Sequence, residues 1–126
     1  MPYPAGGFDI VAGRSGSGSL ASLPAWQLEA LMRELKAATA HYDRLVLDLG
    51  AGLDATVRNL AAQAQVCLVV ATDEPTSLTD AYAFIKVALS ERPGADLRIV
   101  VNLAPSHGAG ESTYRTLARA CQQFLK

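Results

Sequence analysis

The sequence predicts an α/β fold with a parallel sheet of about four strands and flanking helices. Three observations support this fold class. Half of the 126 residues are hydrophobic and only 18% are charged, a composition that excludes a disordered chain. Short apolar runs alternate with longer segments in which apolar residues recur at helical spacing. Strands that alternate with helices favour a parallel sheet with right-handed crossovers.

Length and charge narrow the classes of function. The chain is expected to form a single domain, residues 1–126, that buries roughly two-thirds of its unfolded surface. The formal net charge of −1 gives no electrostatic reason to expect nucleic-acid binding. No apolar run reaches the roughly 18 residues of a membrane span, and the first residues lack the features of a signal peptide. A cytoplasmic location is therefore expected.

Four segments have the composition of strands. Residues 8–12 form a short apolar run, after which Gly13 begins a loop rich in glycine and serine. Residues 44–48 and 66–71 are continuous apolar runs, as expected for parallel strands that are buried on both faces. Residues 97–103 form the last apolar run, so the predicted strands are spread along the whole chain.

Helices are expected between and after these strands. Ser22 and Asp54 are candidate N-caps for the first two, with Pro24 compatible with a first turn. Ser77 with Asp80 has the form of a capping box for the third. The expected buried faces are Leu28, Leu31, Met32 and Leu35 in the first helix, Ala81, Phe84, Ile85 and Ala88 in the third, and Tyr114, Leu117, Ala118, Cys121 and Leu125 in the last.

Polar residues concentrate where the predicted strands end. Gly13, Asp48, residues 72–74 and Asn102 each follow or close an apolar run. Ligands of parallel α/β sheets bind beyond the carboxyl ends of the strands. We therefore expect Asp48, Gly50 and Asn102 to line one edge of the sheet and to form the candidate site.

Three segments occur in the order and at the spacing of a known ATPase group. Residues 42–53 read Tyr-Asp-Arg-Leu-Val-Leu-Asp-Leu-Gly-Ala-Gly-Leu, residues 74–82 read Glu-Pro-Thr-Ser-Leu-Thr-Asp-Ala-Tyr, and residues 100–102 read Val-Val-Asn. Together they resemble the MinD/FlhG-like branch of the ParA-type P-loop ATPases, and the middle segment points to the flagellar-number regulators of the FlhG type. The resemblance implies the later part of a SIMIBI-type P-loop NTPase domain.

The same resemblance implies ATP and Mg²⁺ as cofactors and gives four residues a role. Asp48 would orient a water molecule on Mg²⁺, a hard cation that prefers oxygen ligands. Gly50 and Gly52 would let the backbone turn near the γ-phosphate, and Asn102 would meet the adenine edge with its amide. Taken alone, an aspartate such as Asp48 or an asparagine such as Asn102 at a strand end more often caps or forms a turn than binds a ligand. Leu103 stands where the group usually has an arginine, so the resemblance supports no base-stacking arm.

The lysine-bearing phosphate loop of this group is not found in the sequence. The motif is G-x-x-x-x-G-K-[ST], whereas residues 13–20 read Gly-Arg-Ser-Gly-Ser-Gly-Ser-Leu, with Ser19 at the lysine position. The segment is a decayed phosphate loop or, as its place after residues 8–12 favours, a plain glycine–serine loop. In the group's sheet the missing strand separates 44–48 from 66–71, and buried strands need partners. Either the two strands pair directly with each other, or another chain supplies the missing strand, or the sequence is a fragment of a longer protein.

Three functions are compatible with the sequence. The first is a portion of a MinD/FlhG-like ATPase that places flagella or the division site, without ATP hydrolysis by this chain alone. The second is a truncated relative that serves as a nucleotide-independent interaction or regulatory module. The third, an unrelated small α/β enzyme, is the weakest because no nucleophile–base pair is visible. Self-association or another protein chain is the expected partner, and the C-terminal segment is too short for a MinD-type membrane anchor.

The histidines and cysteines give no indication of a further functional site. His41 and His107 have no cysteine or carboxylate at metal-ligand spacing, so no further metal site is expected. Cys67 lies in a predicted strand and Cys121 on an apolar helix face, which predicts buried and unreactive thiols.

Overall fold

A computed structural model describes residues 3–5, 7–11 and 23–125 of the chain. Within these residues the strands are β1 (Tyr3–Ala5), β2 (Phe8–Ile10), β3 (Val66–Ala71) and β4 (Asp96–Val101). The helices are α1 (Ala25–Ala38), α2 (Ala55–Gln63), α3 (Pro75–Glu91) and α4 (His107–Phe124), and a 3-10 turn at Thr39–His41 follows α1. The glycine–serine loop and the candidate cap Ser22 lie outside the described residues.

Strands β3 and β4 form a parallel sheet, in which Val66 lies opposite Asp96 and Ala71 opposite Val101. Helix α3 is the crossover between them. Strands β1 and β2 form a separate antiparallel hairpin rather than joining this sheet. The α/β class is confirmed, but the parallel sheet in the described residues has two strands and is smaller than the sequence predicted.

Residues 44–48 were expected to form a strand, and this expectation is wrong because the segment lies outside regular secondary structure. Two residues before this segment, the Tyr42 hydroxyl donates a hydrogen bond to Asp9 of β2 at 2.6 Å. Val46, in the middle of the segment, is 86% exposed. An apolar run becomes a strand only where a neighbouring strand accepts its backbone hydrogen bonds. Among the described residues, β3 offers its hydrogen bonds to β4 alone.

The hydrophobic core lies on one face of the β3–β4 sheet, beneath α3 and α4. Five side chains form its centre, each at most 6% exposed: Val69, Ala71, Ala81, Ile85 and Leu117. The first two belong to β3, the next two to α3 and the last to α4. The face of α3 was therefore predicted correctly, whereas Tyr114 of α4 is 47% exposed and does not belong to the core.

The helix starts agree only partly with the sequence. Asp54 caps α2 as predicted, because its Oδ1 accepts the backbone N–H groups of Thr56 and Val57, both at 3.0 Å. Helix α1 begins one residue after Pro24, so this proline precedes the first turn. Helix α3 begins at Pro75, and the capping box predicted for Ser77 is not formed.

Two arginines hold α2 against α3. Arg92, which follows α3, donates hydrogen bonds to the carbonyl oxygens of Ala62 and Ala64 at 2.8 and 2.9 Å. These carbonyls lie at the end of α2, where a helix leaves acceptors without partners. Arg58 of α2 forms an ion pair with Glu91 of α3. Helix α2, which links the segment of Asp48 to β3, is thereby fixed at its C-terminal end.

Candidate functional site

Asn102 marks the carboxyl end of β4. Its backbone N–H donates a hydrogen bond to the carbonyl oxygen of Ala71 at 2.8 Å, so Asn102 lies beside the end of β3. The next residue, Leu103, has a φ of 57° and is 79% exposed. A positive φ is uncommon for a leucine and indicates a sharp turn. The chain thus leaves the sheet directly after Asn102, whose side chain is exposed at this edge.

The loop after β3 is organised by two short side chains. Ser77 Oγ accepts the backbone N–H of Thr72 at 2.9 Å, and Thr72 Oγ1 accepts the N–H of Glu74 at 3.4 Å. The sequence pattern predicted a capping box for Ser77 and did not predict its contact with Thr72. A serine two residues after the proline of a helix start is the signal that could have indicated it. Residues 72–74 and Asn102 therefore share the carboxyl edge of the sheet.

Asp48, Gly50 and Gly52 lie in the irregular segment that precedes α2, and all three are exposed. Gly52 has a φ of 142°, a conformation that L side chains rarely adopt, and an added Cβ would lie 3.7 Å from Asp54 Oδ2. Gly50 has no such requirement, because a Cβ there would meet no atom within 4 Å. The backbone thus demands glycine at position 52 and tolerates other residues at position 50.

The structure does not connect Asp48 with Asn102. In the described part of the chain, no strand ladder and no hydrogen bond joins Asp48 or Gly50 to the edge that carries Asn102. The strand that would carry Asp48 to this edge is the one that is not formed. That Asp48, Gly50 and Asn102 lie along one edge of the sheet therefore remains a prediction.

A complete Mg-ATP site does not fit the described residues. Within them, no group of three or more His, Cys, Asp or Glu side chains could hold a metal ion. Asp48 is one exposed carboxylate, and a Mg-ATP site also needs positive charge against the β- and γ-phosphates. The given sequence contains no G-x-x-x-x-G-K-[ST] motif that would supply this charge. Asp48 and Asn102 therefore fit only the contacts to a metal-bound water and to the adenine of such a site. No phosphoryl-transfer step follows from these two residues.

The two thiols are less buried than the sequence predicted. Cys67 and Cys121 are free and half-buried, and burial raises the pKa of both thiols. A raised pKa leaves less of the reactive thiolate at neutral pH. Across residues 3–5, 7–11 and 23–125, no helix has the length and apolar character needed to span a membrane.

Two curated relatives match the chain, although no protein-family model does. Antiactivator FleN of Pseudomonas aeruginosa is 34% identical over 120 residues, which cover 95% of this chain and 43% of FleN. Flagellum site-determining protein YlxH of Helicobacter pylori is 29% identical over 83 residues, which cover 66% of this chain and 28% of YlxH. The chain spans less than half the length of these relatives. Together with the three motifs, these matches fit a portion of a FlhG-like protein of the MinD/ParA type.

Proposed function

We propose that this chain acts in the control of flagellar number or placement, as a portion or a truncated relative of a FlhG-like ATPase. One relative is named an antiactivator and the other a flagellum site-determining protein. The observation that carries the proposal is the match to FleN over 95% of the chain, which includes all three motifs. A cytoplasmic location and a protein partner, either a second copy or another chain, belong to the proposal.

Expression of the chain in P. aeruginosa tests this role. Because the relative in that organism is named an antiactivator, we expect the number of flagella per cell to differ from that in cells with an empty vector. Electron microscopy of whole cells gives the count. An unchanged number at a verified expression level would contradict the proposal.

The chain alone is expected not to hydrolyse ATP. Phosphoryl transfer depends on positive groups fixed around the transferred phosphate, and the given sequence contains no G-x-x-x-x-G-K-[ST] motif to provide the lysine that P-loop ATPases use. In a complete site, Asp48 would orient a water on Mg²⁺ and Asn102 would contact the adenine. Both roles contribute to binding and leave the γ-phosphate without its main electrostatic stabilisation.

A steady-state phosphate-release assay at millimolar Mg-ATP measures this directly. We expect no turnover above the background of the buffer. Asp48→Ala is the matched control, because it removes the carboxylate that would act on the metal. Turnover in the wild-type chain that disappears in Asp48→Ala would show that the chain hydrolyses ATP without a lysine loop.

A second candidate function is a nucleotide-independent interaction module. It is favoured by the incomplete fit to Mg-ATP and by exposed apolar side chains on β3, including Leu68 and Val70, each 60% exposed. Isothermal titration with Mg-ATP separates the two functions. Binding that is lost in Asn102→Ala would favour a nucleotide-dependent role, whereas no binding would favour the interaction module.

A further inference from the structure

We draw no further inference here: the strongest candidate, the exposed apolar face of the β3–β4 sheet that Val66, Leu68, Val70 and Val100 form opposite the core, carries nothing because the described residues do not show what covers it.

Discussion

Asp48 and Asp54 are aspartates of one short segment, yet they have different surroundings. Asp54 accepts two backbone N–H groups at the start of α2. Asp48 is exposed and takes part in no hydrogen bond among the described residues. The role of Asp54 depends on residues two and three positions away, so the sequence predicts it. The role of Asp48 depends on a distant strand end, which the sequence does not position.

Asp54→Ala should destabilise the chain by about 1 kcal/mol, the typical cost of removing a helix N-cap. Two N–H donors of α2 would lose their acceptor. Urea unfolding followed by circular dichroism measures the change in the free energy of unfolding. Asp54→Asn keeps an acceptor oxygen, so its free energy of unfolding should differ from that of the wild type by only roughly 0.3 kcal/mol. Equal losses in both variants would show that charge, and not capping, is what α2 requires.

At the scale of elements, local signals placed α2 and β3 well. Helix α2 begins at its predicted cap, and β3 has the bounds of its apolar run. The contact that fixes α2 against α3 was not predicted, because Arg92 reaches carbonyls about 30 positions earlier in the chain. Such a contact depends on how two helices pack, which neither helix encodes by itself.

Arg92→Gln should loosen the C-terminal end of α2. The loss of two hydrogen bonds from an exposed guanidinium is expected to cost about 1 kcal/mol. Hydrogen exchange should accelerate at the last amides of α2 while the amides of α4 keep their rates. Arg98→Gln is the control, because its partner Asp96 lies on the same strand and the pair is exposed. If Arg98→Gln accelerated exchange in α2 equally, the contact of Arg92 would not be the cause.

As a whole molecule, the chain is more open than its length suggests. Its accessible surface is 9594 Å² for a mass of 13.3 kDa, whereas a compact monomer of that mass exposes roughly 6,400 Å². The sequence predicted that roughly two-thirds of the unfolded surface would be buried, but the structure buries about half. The exposed face of the β3–β4 sheet and the edge of β3 that carries no strand among the described residues account for part of this difference.

We therefore expect a low free energy of unfolding for the isolated chain, below about 5 kcal/mol, the lower end of the range for single domains. The reason is a small core on one side of a two-stranded sheet. Urea unfolding at several protein concentrations gives the value and its dependence on association. A free energy above about 10 kcal/mol for the chain alone would contradict this account.

The sequence by itself determined the α/β class, the bounds of β3, the cap of α2, the buried face of α3 and the resemblance to FlhG-like proteins. Each of these depends on neighbouring residues or on motifs that are read directly from the chain. Only the tertiary structure decided that residues 44–48 form no strand and that β3 is covered on one face. An apolar run indicates that burial of its side chains is favourable. A strand and a buried face also require a partner surface, and only the assembled fold determines whether that surface is present.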